Sequence, residues 1–202
     1  MMEGNGMAYV LVENGTLIDG NGGQPVQNAA VLIKDNVIQA VGTKESIEMP
    51  AGANVKTIDA QGGYVLPGMI DTHVHITFEN NGLADRVQTP FSLKFYQTID
   101  YMKKTLNAGV TTVRDALGAD AGLKQAVESG LVEGPRMQIT INALTTTGGH
   151  GDSWMLSGMD ISRVAYPGMP DGRCDGVEEV RKKTREMLRA GADLIKVHAT
   201  GG

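Results

Sequence analysis

Cysteine occurs once in the 202 residues, at Cys174. An internal disulfide framework is therefore excluded, and nothing asks for an oxidising compartment. Positive charge is also in short supply, with a net charge of −5 and a pI near 5.3. Lysines and arginines gather into no long run, so the chain offers nucleic acid no basic field. No apolar run approaches the ~20 residues needed to cross a bilayer. The opening Met1-Met2-Glu3-Gly4-Asn5-Gly6 has neither a basic n-region nor an apolar h-region, and the expectation is a cytoplasmic protein without membrane contact. Histidine is scarce, at four residues, whereas glycine is abundant at 27, roughly twice its usual ~7 % share. That much glycine without a fixed period points to tight turns and to loops where backbone comes close to something. A hydrophobic share of 41 % with 20 % charge is ordinary for a globular protein of one or two domains.

Up to about Leu66 the chain reads as short apolar runs broken by turn residues. Tyr9-Val10-Leu11-Val12, Asn14-Gly15 and Thr16-Leu17-Ile18 follow one another as strand, turn and strand. Ala30 to Lys34 and Val37 to Val41 flank Asp35-Asn36, a pair suited to a two-residue hairpin. After Leu66 strands and helices alternate. A buried strand is expected at Met69 to Ile76, then a helix from about Ser92 to Ala108 with Leu93, Tyr96, Ile99, Met102 and Leu106 inward and Gly109 as its stop. Further strands are expected at Val110 to Arg114, Arg136 to Ile141 and Asp193 to His198, and further helices at Gly122 to Ser129 and from Asp175 to Gly191. Asp175 with Glu178 resembles a capping box, and Val177, Val180, Met187 and Leu188 read as the inner face of the last helix. Four strands separated by three helices imply parallel βαβ units. The stretch from Asn142 to Arg173 has weak periodicity, and a loop of that length is usually functional or mobile.

The chemistry starts at Ile70-Asp71-Thr72-His73-Val74-His75-Ile76. Side chains alternate along a strand, so His73 and His75 share a face about 7 Å apart by the rise of the strand, near enough to share one metal ion. Two polar residues facing water remain the plainer alternative. Lys196 sits in the apolar run Leu194-Ile195-Lys196-Val197, where a salt-bridged or snorkelling lysine is the competing reading. His198 lies on the same face as Lys196 and is read as a supporting or loop histidine. In Thr145-Thr146-Thr147-Gly148-Gly149-His150-Gly151-Asp152, the glycines let the backbone approach a bound group, and His150 and Asp152 offer a donor and an acceptor. A glycine-rich surface loop accounts for it equally. It is no phosphate loop, because the Gly-Lys-Ser/Thr ending is missing. Arg114 and Asp115 close the second strand, either as a structural ion pair or as a substrate contact.

The stretch Gly63-Tyr64-Val65-Leu66-Pro67-Gly68-Met69-Ile70-Asp71-Thr72-His73-Val74-His75-Ile76 resembles the first barrel strand of the metal-dependent amidohydrolase superfamily. Ala108 to Gly118 is similar to that family's second strand, and Ala190 to Gly202 to the fourth strand of its dipeptidase-like and imidazolonepropionase-related branch. The resemblance implies an α/β fold: a small β-sandwich segment over 1–66 and, over 67–202, about four strands of a (β/α)8 TIM barrel. It implies His73 and His75 as ligands of a divalent metal, two zinc ions per complete site, and Lys196 as the bridging ligand once CO2 has carboxylated its amine. An ordinary ammonium, with a pKa of about 10.4, would repel two cations. It implies His150 as a contact to the substrate's carboxylate or scissile carbonyl. The activity implied is hydrolysis of an amide or peptide bond in a dipeptide or N-acyl amino acid.

The family's remaining ligands and its proton-shuttle aspartate lie on later strands, beyond residue 202. A barrel of this kind typically takes ~250 residues, so the expectation is an N-terminal part whose missing half completes the site, inactive and aggregation-prone alone, with homo-oligomer formation open. Two other readings stay in play. One is a cyclic-amide hydrolase resembling imidazolonepropionase, and the other is a non-catalytic fragment acting through assembly with another chain.

Overall fold

The computed structural model describes residues 9–78, 88–161 and 166–200. The chain divides into two compact units, Met1–Pro67 and Gly68–Gly202. In the first unit β1 (Tyr9–Leu17) is central to a five-stranded sheet. It pairs antiparallel with β2 (Val26–Lys34) and parallel with β4 (Val55–Asp59) and β5 (Tyr64–Val65), while β3 (Val37–Thr43) closes a hairpin with β2. The hairpin turns where expected: Lys34 faces Val37, and Asp35 takes φ +56°. Asn14-Gly15, expected to be a turn, is instead absorbed into β1 as an irregularity in its register with β2. Gly15 is needed there because a Cβ would sit 2.8 Å from the Val65 side chain on the neighbouring strand. Leu11, Ala30, Leu32 and Ile47 form this unit's core.

The second unit alternates strand and helix through β6 (Met69–Val74), α1 (Leu93–Asn107), β7 (Val110–Asp115), α2 (Ala121–Glu128) and β8 (Arg136–Ile139). It continues with β9 (Ala143–Leu144), α3 (Gly176–Arg189) and β10 (Lys196–Val197). β6, β7 and β8 form a parallel sheet in that order, and β9 pairs in parallel with β10. The expected strand from Arg136 to Ile141 ends early because the buried Ile141 adopts φ +66°, a conformation unfavourable for a β-branched residue, and pairing resumes only at Ala143. Asp193 bridges the interruption. Its amide donates to the Ile139 carbonyl, its Oδ2 accepts from the Ile139 amide, and Lys124 reaches Oδ1 at 2.6 Å. Met102, Val113, Ile139, Ile141, Met169 and Met187 are among the fully enclosed side chains of the core.

Three packing expectations are corrected. β6 is exposed rather than buried, with Met69 and Ile70 open to solvent, because it pairs with β7 alone and no described element covers its other edge. On α1 only Met102 of the expected inner face is enclosed, together with Thr98, whose hydroxyl donates to the Lys94 carbonyl; Leu93, Tyr96 and Ile99 face out. On α3 Met187 is enclosed while Val177, Val180 and Leu188 are exposed. Helix ends follow their chemistry more closely. Gly109 takes φ +87° after α1, and Asp120 caps α2 by accepting from the Leu123 amide at 2.8 Å. At α3 it is Glu179, not Glu178, that accepts from the Asp175 amide, at 2.7 Å; the Asp175 carboxylate is spent on the amide and hydroxyl of Thr147. That contact moves the residue from capping a helix to fastening the loop that carries His150.

Candidate metal centre

His73 and His75 lie at the carboxyl end of β6 and His198 directly after β10, where sites on parallel sheets collect, while Lys196 is in β10 and His150 in the loop after β9. His73 lies on β6 and His75 directly after it. Their rings approach to 5.4 Å between centroids, nearly perpendicular, as the shared face predicts. His75 Nδ1 is 3.1 Å from the Leu117 carbonyl oxygen, so the proton sits on Nδ1 and the Nε2 lone pair is available. Asp71 turns back on its own strand, its Oδ1 accepting from the His73 amide at 3.0 Å.

Asp115 holds this end of the sheet together. Its side chain is enclosed and accepts three backbone amides, from Ile76 at 2.7 Å, Leu117 at 3.1 Å and Ala119 at 3.0 Å. It thereby fixes both the loop after His75 and the Leu117 carbonyl that orients the His75 ring. Burial raises the Asp115 carboxyl above its ordinary value, opposed by those amides and by His75. Arg114 makes no pair with it: Arg114 Nε donates to the Thr72 carbonyl at 2.7 Å, pinning β7 to β6.

Lys196 opens β10 beside Ala143 and is half-buried, and the His198 amide donates to the Leu144 carbonyl at 2.9 Å. The His198 ring meets that of His150 at 4.8 Å, edge to face. Its pKa is lowered by burial first and then by the charges of His150, Lys196 and His75. The His150 loop is fastened from three sides. Gly151 donates to Thr145 Oγ1, Asp152 accepts from the Gly148 amide, and Arg173 reaches Asp152, Asp160 and Asp171. Sequence reasoning missed the fastening by Arg173 and the closeness of His198 to His150; neither has a local signal, since the partners lie 21 and 48 residues away in Arg173 and His198 respectively.

The paired imidazoles, one with its tautomer set by a carbonyl, are donors that suit a divalent ion. Among the described residues no three His, Cys, Asp or Glu side chains form a complete cage. No described helix is long and apolar enough to cross a membrane.

A mixed α/β unit with paired histidines at the carboxyl end of a parallel sheet is a frame that many enzyme families share, and the sequence relatives narrow it. The amidohydrolase family model matches residues 64–202, so the chain belongs to that family. It is 30 % identical over 204 residues to the ochratoxinase of Aspergillus niger, covering 95 % of this chain and 42 % of that protein. Among solved structures it resembles a prolidase complexed with N-methylphosphonate-L-proline, with TM-score 0.81, 35 % identity, and coverage of 96 % of this chain and 47 % of that one. It also resembles a Xaa-Pro dipeptidase with methionine bound in the active site, with TM-score 0.77, 28 % identity, and coverage of 96 % and 48 %. The chain thus spans about half the length of the relatives it matches.

Proposed function

We propose that this chain supplies the first half of the site of a metal-dependent hydrolase that cleaves the amide or peptide bond of a dipeptide or N-acyl amino acid. The observation that carries the reading is the imidazole pair His73 and His75 at the carboxyl end of β6, alongside a second pair, His150 and His198, that follows the paired strands β9 and β10 where Lys196 sits. In this reading 67–202 is about four strands of a (β/α)8 barrel and 1–66 part of a β-sandwich, both completed by the portion the relatives possess beyond this half.

His73 and His75 would hold one divalent ion, and Lys196, with its neutral amine carboxylated by CO2, a pair of them, for which zinc is the proposed metal. Bound there, the ions would supply Lewis acidity toward the scissile carbonyl and a water acidic enough to attack at neutral pH. The protein's own part is positional. Leu117 and Asp115 hold the His75 ring in one tautomer, and the Thr145, Asp152 and Arg173 contacts hold His150 toward a substrate oxygen. Protonation of the departing amine is assigned to a group outside this chain. The test is turnover by the protein carrying its remaining half, on dipeptides, N-acyl amino acids and cyclic amides, with and without chelator. Chelator-sensitive release of a free amino acid is the expected result. Hydrolysis that survives metal removal, or is confined to cyclic amides, overturns the reading.

A further inference from the structure

We propose that the cleft at the amino ends of β7 and β8 binds an amphipathic monocarboxylate, with Arg136 taking the carboxylate and Leu106, Val127 and Met137 taking the alkyl chain. The cleft has a volume of about 690 Å³, within the roughly 300–1,000 Å³ of small-molecule sites. Its walls are Leu106 from α1, Lys124, Val127 and Glu128 from α2, and Arg136 and Met137 from β8. Thr111 and Arg136 stand at the amino ends of β7 and β8, whereas His73 and His75 stand at the carboxyl end of β6 in the same parallel sheet. The cleft therefore opens at the opposite end of the sheet from the imidazole pair. All its walls come from the consecutive run α1-β7-α2-β8, so it is formed without any later strand. No residue of the cleft belongs to the candidate metal centre, and its occupancy is independent of hydrolysis.

The space is not loose core packing. Its inner wall is closed where a Cβ on Gly134 would come within 2.9 Å of both Met102 Sδ and Val127 Cγ2, and Met137 is buried in the core cluster. Charge then selects the ligand. Lys124 is already held by Asp193 at 2.6 Å, with Glu128 at 3.9 Å. Arg136 is exposed, and among the described residues no carboxylate pairs with it. A guanidinium fork matches the two oxygens of a carboxylate, while the Leu106, Val127 and Met137 wall favours hydrocarbon over water. Glu128, on the Lys124 side, repels a second negative charge, which favours a monocarboxylate over a dicarboxylate.

The experiment titrates octanoate by calorimetry into the protein carrying its remaining half, with 1-octanol, acetate and suberate for comparison. Octanoate is expected to bind about tenfold or more tightly than octanol, which lacks the charge, acetate, which lacks the chain, or suberate, which carries a second carboxylate. Arg136→Gln, at an exposed position, weakens octanoate about tenfold or more and brings it level with octanol. Arg136→Lys, which keeps the charge without the fork, recovers part of the affinity. Leu106→Trp, which fills the cleft from α1, abolishes binding while the melting temperature stays near wild type. The methyl signals of Leu106, Val127 and Met137 shift on adding octanoate. The proposal is overturned if octanol or suberate binds as well as octanoate, or if Arg136→Gln binds octanoate normally. Shifts confined to residues around His73 and His75 also overturn it, since they would make octanoate a ligand of the metal centre.

Discussion

Gly172→Ala tests how the second unit positions Lys196 from a distance. A Cβ on residue 172 would lie 1.9 Å from the Ala143 carbonyl oxygen, about 1.1 Å short of the 3.0 Å that real contacts respect. The obstacle is backbone, so no side chain can swing aside. Ala143 is the residue of β9 that faces Lys196 of β10. Relief requires either that β9 shift, taking the Lys196 register with it, or that the 172 loop withdraw. Withdrawal would break the bonds from the Thr145 amide to the Gly172 carbonyl and from the Cys174 amide to the Thr145 carbonyl, at 3.1 and 2.9 Å. Overpacking typically costs about 1–3 kcal/mol, and each backbone bond adds about 1. A loss of roughly 2–4 kcal/mol in urea unfolding is expected, together with a lower metal content in the folded protein. Gly23→Ala is the control, since nothing lies within 4 Å of its added Cβ; it should stay within about 0.5 kcal/mol of wild type. If Gly172→Ala matched that control in both stability and metal content, the coupling of β9 packing to Lys196 would be wrong.

Lys196→Ala is expected to lower bound metal, measured by elemental analysis, to one ion or fewer per complete protein, while the melting temperature of the metal-free form stays near wild type. Asp115→Asn replaces one of the oxygens that accept from Ile76, Leu117 and Ala119 and leaves an amide facing a donor. Because burial raises the Asp115 carboxyl in the folded state, wild-type stability from this group is fully present below the ordinary carboxylate value of about 3.9 and is lost as pH rises through the higher folded value. The difference in urea midpoint between wild type and Asp115→Asn should therefore fall with rising pH across that window, and a flat difference would contradict the burial argument. Asp120→Ala removes both the cap of α2 and the acceptor of the Tyr166 hydroxyl. A loss of about 1–2 kcal/mol by chemical denaturation is expected, with Asp120→Asn recovering part of it.

The helix bounds and strand order were readable because they rest on local signals. Gly109 and Gly130 end their helices at positive φ, and the runs around Val113 and Met137 are apolar enough to be buried strands. Faces were harder to read. Tyr96 and Val180 follow a core-facing period yet are exposed, because a helix face is buried only if another element lies against it, and no described element covers these. Asp175 shows the same limit on a smaller scale. Its sequence position favours capping α3, but Thr147, 28 residues earlier, offers it an amide and a hydroxyl, and those win the carboxylate.

Strand alternation and a short motif act over a few residues, and they were enough to identify the family and to set His73 and His75 on one face. The sequence also marked Lys196 and His150 through their apolar and glycine-rich surroundings. Long-range packing is what brings His198 onto His150, lets Asp115 hold the Leu117 loop whose carbonyl orients His75, and makes Arg173 brace the His150 loop. Those contacts join residues tens of positions apart, and nothing in a local pattern records which distant hydrogen-bond partner is left when the backbone has satisfied its own.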